Sequence, residues 1–162
     1  MLCYDENLNE YALFDSPFKC SEGNNCFNLV GNCNGILCLA AAELSRDWNH
    51  FYFLNPSDMT NFYFDILGEI FGYMLGFGFD PVTNDYKVVR VLHTLHSFPP
   101  HVDLYKFSTG VWEDISHVSL SYKFFASTLH AYVNGSSHWI VSSWVEVSLG
   151  LQGVIVLFNM HE

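Results

Sequence analysis

The sequence predicts an all-β fold made of repeated antiparallel hairpins, and two recurrences along the chain indicate it. In the first, an Asn-Gly or Asn-Asp dipeptide stands at residues 34–35, 84–85 and 134–135, fifty residues apart, and precedes an apolar run each time. A two-residue type I′ turn needs positive φ at both central residues, which Asn-Gly favours strongly and Asn-Asp more weakly. Each dipeptide is therefore expected to form the same corner of a repeated unit.

The second recurrence follows each dipeptide at a similar distance. It reads FYFLNPSD at 51–58, VDLYKFSTG at 102–110 and VIVLFNMHE at 154–162. Alternation of Val102 and Leu104 with polar positions predicts a strand, and Ser108-Thr109-Gly110 predicts a turn into the next one. The opening residues 1–14 repeat this strand, turn and strand one unit earlier.

About four short strands per unit and a period near fifty residues are typical of kelch-like β-propeller blades. The 162 residues hold about three such units, whereas a closed ring normally needs four to eight blades. The prediction is a partial β-propeller of about three blades, each a four-stranded antiparallel sheet. Residues 1–162 are expected to form one domain, incomplete at both ends.

Residues 62–75 fit this pattern least. Their apolar positions have helical spacing, but Gly68 and Gly72 each cost about 1 kcal/mol relative to Ala in a helix interior. We expect an excursion between strands here, with a turn of helix as the alternative.

The charge of the chain restricts its partners. Seventeen acidic against six basic residues give a formal net charge of -11, which repels nucleic-acid phosphates and anionic lipids. A basic protein partner is favoured. The opening residues lack the pattern expected of a signal peptide, and no run of about 18 apolar residues occurs. We therefore expect a cytoplasmic or nuclear protein that binds neither nucleic acid nor membrane.

The residue spacings disfavour three kinds of chemical site. Residues 76–91, GFGFDPVTNDYKVVRV, lack the spacings of a phosphate loop and of a calcium loop, so Gly76 and Gly78 are expected to allow close packing or a bulge. The histidines at positions 50, 93, 96 and 101 match no familiar zinc spacing. Cys33 and Cys38 are expected to be buried strand thiols. No metal, cofactor or catalytic residue is predicted.

The four tryptophans divide into two pairs. Trp112 and Trp139 follow turns at equivalent positions and are expected to be core aromatics, with a ligand role as the alternative. Trp48 and Trp144 lie outside the strongest strand motifs. They are plausible interface anchors, because Trp combines a large contact area with a low entropy cost.

Six motifs in order resemble the F-box-associated domain of plant F-box proteins, and most closely that of the S-locus F-box and S-locus-like group: GNCNGILCL, FLNPSD, GFGFDPVTNDYKVVRV, VDLYKFSTGVWEDI, AYVNGSSHWI and VIVLFNMHE. The resemblance covers residues 30–160, and the match from Gly76 to Arg90 is the most specific. Leu54 replaces a family tryptophan and Asp58 a threonine. Nothing in residues 1–27 resembles the F-box.

The resemblance implies a protein-recognition module, the substrate-binding part of an SCF-type ubiquitin ligase, and not an enzyme in its own right. The SCF adaptor would bind only through an F-box in a longer chain. Within the S-locus group the implied targets are the basic pistil ribonucleases of pollen self-incompatibility. The alternative is a truncated, non-functional paralogue without ligase activity.

The residues expected to contact a target lie in three loops. By position they are Asp47, Trp48 and His50 in the first, His96, Phe98 and His101 in the second, and Trp144 and Glu146 in the third.

Overall fold

The computed structural model describes residues 2–4, 10–13, 26–42, 48–55, 72–93, 99–117, 124–144 and 151–161, which form strands and turns and contain no helix. Across these ranges, no helix has the length and apolar character needed to cross a membrane. The twelve strands are β1 (Leu2–Tyr4), β2 (Glu10–Leu13), β3 (Cys26–Cys33), β4 (Ile36–Ala42), β5 (Trp48–Leu54), β6 (Gly72–Asp80), β7 (Asp85–His93), β8 (His101–Lys106), β9 (Val111–Asp114), β10 (Phe124–Val133), β11 (Ser136–Trp144) and β12 (Leu151–Asn159).

These strands form one hairpin and three larger sheets, all antiparallel. The hairpin is β1-β2, sheet I is β3-β4-β5, sheet II is β6-β7-β8-β9, and sheet III is β10-β11-β12. The predicted all-β class is therefore confirmed. Sheet II has the four strands expected of each unit, whereas sheets I and III have three among the described residues.

The segment 62–75 is described only at its end. Residues 72–75 belong to β6, so both the expected excursion and the alternative of a helical turn are wrong there, because these residues complete the ladder with β7. Residues 62–71 lie outside the described ranges.

Two of the three predicted turns have the expected form. Asn34 and Gly35 have φ values of 51° and 79°, and Asn134 and Gly135 have 49° and 80°. The flanking residues pair directly across both turns, which leaves two-residue loops. Only a type I′ geometry places two adjacent residues at positive φ in so short a hairpin.

The third turn differs from the prediction. Asp80 pairs with Asp85, so the loop has four residues, 81–84, and only Asn84 has positive φ, at 54°. The Asp80 carboxylate accepts hydrogen bonds from the Val82 amide at 2.9 Å and the Thr83 hydroxyl at 2.6 Å. This bonding to the residues just after it stabilises a wider turn than Asn-Asp alone predicts.

Sheet II lies between the other two sheets and is buried on both faces. On one side Phe53 of sheet I packs against Phe77 and Phe107, with ring centroids 5.5 and 4.3 Å apart. On the other side Val89 and Leu104 pack in a core shared with sheet III. Burial on both faces explains why β7 and β8 are buried over most of their length, with the charged residues Lys87, Arg90 and Asp103 among the buried ones.

Cys33 and Cys38, the two cysteines whose side chains are described, occupy the core between sheets I and II. Cys33 and Cys38 are buried free thiols, as predicted. Burial raises the pKa of both, and a backbone contact with Phe79 opposes the effect at Cys33. They act as small hydrophobic side chains.

Sheet III approaches sheet II most closely at two glycines of β6. A Cβ added at Gly76 would lie 2.5 Å from the Trp139 ring, and one at Gly78 would overlap the Tyr132 ring. Pairing of β6 with β7 is continuous through both positions, so they serve close packing and not a bulge. Trp139 is fully buried and donates from its Nε1 to the carbonyl oxygen of Leu75 at 2.7 Å, which confirms it as a core aromatic.

The first strands of the three sheets, β3, β6 and β10, contact one another. Gly31 and Cys33 of β3 lie beside Phe77 and Phe79 of β6 in that order, so the two strands run in the same direction. Gly31 lies beside Phe77 of β6 and His130 of β10. Two residues after His130, Tyr132 contacts Gly78 of β6 and donates a hydrogen bond to the carbonyl oxygen of Phe79. The three Asn-containing turns therefore lie at one end of the sheets, here called the turn end. The links from second to third strands all leave from the opposite end, here called the connection end.

We predict that Gly76→Ala lowers the free energy of unfolding by about 1–3 kcal/mol, because the added methyl group must displace the Trp139 ring in a packed core. Urea denaturation measures the change. Gly153→Ala is the matched control, since Gly153 is also a strand glycine but has open space around its Cβ position. Equal stabilities of the two variants would contradict the packing role of Gly76.

Candidate recognition surface

The connection end is formed by the strand ends that flank residues 43–47, 94–98 and 145–150, and these stretches contain Asp47, His96, Phe98 and Glu146. Those four predicted residues lie outside the described ranges. In each sheet the flanking strand ends belong to the second and third strands. All three predicted loops are therefore attached at the same end of the molecule.

Trp48, His50 and Trp144 were predicted in loops, and the structure instead has their backbones in strands. Trp48 is the first residue of β5 and pairs with Ala42, and His50 follows in the same strand. Trp144 is the last residue of β11 and pairs with Leu151. The ladders continue further toward the connection end than the motifs indicated.

His101 is the predicted contact residue whose side chain is described. It begins β8 and is not in a loop. Its Nε2 lies 2.8 Å from Oδ1 of Asp103, and its Nδ1 lies 2.9 Å from Oγ of Ser116, which itself accepts from the Val102 amide at 3.0 Å. The imidazole ring therefore lies between Asp103 of its own strand and Ser116, which follows β9.

Behind His101, Asp103 is held by a buried arginine. Arg90 donates from Nε and Nη2 to Oδ2 of Asp103 at 3.1 and 2.7 Å, and its guanidinium lies 4.3 Å from the ring centroid of Trp112. Trp112 also packs against Phe51 and Tyr105, so its predicted packing role is confirmed. These contacts of Arg90 connect β7 to β8 through Asp103 and to β9 through Trp112.

Asp114 is the exposed acid of this cluster. It stands directly opposite Asp103 across the β8-β9 pair, and hydrogen bonds from the Ser116 side chain and amide lower the pKa of its carboxyl group. Like charges in directly opposed positions destabilise a sheet unless other groups compensate them. Here Arg90 compensates Asp103, and Asp114 presents its charge to solvent.

The cluster was not predicted from the sequence. Side-chain ligand atoms of His101, Asp103 and Asp114 lie within 4.8 Å of one another, close enough to hold a metal ion. Each side chain already has a protein partner: Ser116 for His101, Arg90 for Asp103 and the Ser116 amide for Asp114. The H-x-D alternation of β8 indicates that His101 and Asp103 share a face. Asp114 could not be added without the cross-strand register.

At the turn end, Asp80 is the centre of a buried network. Lys87 donates from Nζ to Oδ2 of Asp80 at 2.7 Å and to the carbonyl oxygen of Met160 at 2.6 Å, while Nδ1 of His161 lies 2.8 Å from Oδ1 of Asp80. Burial alone would raise the pKa of Asp80, but the bonds from Lys87, Thr83 and His161 outweigh it and lower this pKa. Asp80 also accepts hydrogen bonds from Val82 and Thr83, so it has the turn-forming role predicted for it.

We predict that Lys87→Met lowers the free energy of unfolding by about 3 kcal/mol, because it leaves the buried Asp80 carboxylate without its cation. Denaturant titration measures the loss. Adding Asp80→Asn should restore part of it, since the uncompensated charge is then removed.

Lys106→Met is the matched control for this change. Its partner Glu113 is exposed, so the midpoint of unfolding should hardly move. A loss in Lys106→Met as large as that in Lys87→Met would contradict the buried-pair explanation.

His130 lies where the three first strands meet. It is in β10, contacts Gly31 of β3, binds Oγ of Ser137 through Nε2 at 2.9 Å, and packs against Trp139. Burial lowers the pKa of His130, against the opposing effect of the Val30 backbone. The neutral form is therefore the one that fits the junction.

We predict that folding stability falls as the pH drops below about 6.5, the ordinary pKa of histidine. The unfolded chain then binds a proton at His130 that the folded chain binds only at lower pH, so protonation favours unfolding, by at most about 1.4 kcal/mol per pH unit. Urea titrations at intervals of about one pH unit between pH 5 and pH 8 measure how the free energy of unfolding changes with pH. His130→Gln should flatten it, and an unchanged slope would contradict this assignment.

The chain is therefore an all-β protein of antiparallel sheets whose longer connections leave from one end. Comparison with known proteins identifies a relative. The chain is 29% identical over 136 residues to the F-box protein At2g43440 of Arabidopsis thaliana. The match covers 80% of this chain and 29% of that protein, so the chain spans less than a third of its relative. This supports a distant relationship to a plant F-box protein. No protein-family model and no solved structure matches the chain.

Proposed function

We propose that this chain is a protein-recognition module of the type by which F-box proteins select substrates for a ubiquitin ligase. The observation that carries the proposal is the common attachment of the three predicted contact loops at the connection end. Rigid sheets that present several loops at one end are a frequent basis for binding sites. The similarity to an F-box protein supports the same role.

The architecture we propose is a partial β-propeller of about three blades. Support comes from β3, β6 and β10, the first strands of successive sheets, which contact one another and run in the same direction. Parallel first strands around a common axis are the arrangement expected of blades. In this proposal the remaining blades, and the F-box that binds the SCF adaptor, belong to a longer chain or to a second chain.

The proposed target is a basic protein, and the resemblance in sequence makes the pistil ribonucleases of self-incompatibility the first candidates. The formal charge of -11 favours encounter with a basic surface. Asp114 contributes an exposed carboxylate at the connection end. The chain itself would act as a receptor subunit and leave catalysis to other subunits of the ligase.

The test is calorimetric titration of the purified chain with basic and acidic secreted ribonucleases at low and moderate salt. We expect binding to the basic proteins that weakens as salt screens the charges. Trp48→Ala or Trp144→Ala should weaken binding by about 2 kcal/mol, roughly thirtyfold, if these residues are anchors. Val82→Ala at the turn end should leave affinity unchanged, since Val82 is 78% exposed but lies at the opposite end.

A charge-matched pair gives a second control. Asp114→Asn should slow association at low salt, whereas Glu113→Gln removes the same charge one residue away on the other face of β9 and should not. No salt-sensitive binding to any basic partner would overturn the proposed function. It would favour the alternative, a truncated paralogue that binds no target.

A further inference from the structure

Sheet III has an uncovered apolar face. Along β11 and β12 the buried side chains Trp139, Val141 and Val156 alternate with side chains on the opposite face. The large apolar side chains on that outer face are more than half exposed: Ile140 at 57%, Ile155 at 70% and Leu157 at 56%. Ile140 and Ile155 are register partners, so the three form one continuous patch.

The same face has no charge among its described positions. Its other members along β11 and β12 are Ser136, His138, Gly153 and Asn159, and the exposed Val133 of β10 extends it toward the turn end. A sheet with one solvated face normally alternates apolar and polar residues. The outer face of sheet III instead carries large exposed aliphatic side chains and uncharged residues, whereas sheet II is covered on both faces.

We propose that the outer face of sheet III packs against the same face of a second copy of this chain, about a twofold axis. A twofold interface brings equivalent residues together, so it requires a patch that is complementary to itself. An aliphatic, uncharged patch meets that requirement. With -11 charges on each chain, approach through a charged surface would place like charges in contact.

The size of the patch determines the strength of this contact. Two nine-residue strands and their neighbour β10 cover a rectangle of roughly 30 by 14 Å at usual strand spacings. Two such faces bury roughly 840 Å², slightly less than the ~1,000 Å² expected of a specific stable interface. The dimer should therefore be weak and concentration-dependent, and salt should strengthen it by screening the net charges.

This dimer does not depend on the proposed target recognition, and its salt response has the opposite sign. It concerns the 162-residue chain, because a further blade of a longer chain would pack against the same face. Sedimentation equilibrium of the chain without any partner, over a range of concentrations and at two salt levels, measures it. We expect a reversible monomer–dimer equilibrium that shifts toward dimer as salt is raised. A monomer at every concentration and salt level would overturn the proposal.

Three lysine substitutions identify the surface involved. Ile140→Lys, on the central strand, and Ile155→Lys, on the outer strand, should each weaken association at least tenfold, because both place a charge in the packed face. Val82→Lys adds the same charge at the turn end and should leave the dimer intact. Circular dichroism and urea midpoints check that each variant remains folded.

The two sheet variants also distinguish face packing from edge pairing. Loss of the dimer in Ile155→Lys but not in Ile140→Lys would mean that β12 pairs through its edge, and this result would overturn the proposed face contact. An equal effect of Val82→Lys would overturn it too. Hydrogen exchange is a second readout, with slower exchange expected in β11 and β12 at high protein concentration.

Discussion

The contact of β6 with sheet III depends on the missing side chains of Gly76 and Gly78. The rings of Trp139 and Tyr132 occupy that space and bond to the β6 carbonyl oxygens of Leu75 and Phe79. Any larger residue would push both the ring and its hydrogen bond away from the strand. This contact aligns β10 with β6, and through that alignment it determines which strand ends meet at the turn end and at the connection end.

The buried charges of sheet II complement this contact. β7 is covered on both faces, yet it carries Lys87 and Arg90, and each cation must find a carboxylate inside the protein. Lys87 pairs with Asp80 of β6 near the turn end, and Arg90 pairs with Asp103 of β8 near the connection end. A shift of register would leave both cations unpaired, so the ion pairs specify how β6, β7 and β8 align.

Local features of the fold were predictable from the sequence, and features set by strand pairing were not. The Asn34-Gly35 turn depends on its own two residues, and the close packing at Gly76 follows from glycine lacking a side chain. The 81–84 loop was mispredicted because the Asp80 carboxylate, which the dipeptide pattern ignores, bonds to Val82 and Thr83. The grouping of His101 with Asp114 requires a register that no single strand encodes.

The two ends of the sheets differ in what they can offer a partner. At the turn end, Asp80 and Asp85 already bond to Thr83, Lys87 and Ser108, and the two-residue turns carry little side-chain area. At the connection end, the strands are joined by longer stretches, and Asp114 directs its charge to solvent. In the proposed recognition role, substitutions in those stretches would change binding, whereas the glycine contact and the ion pairs lie in the sheets. Loops attached to a rigid scaffold are a frequent place for binding residues.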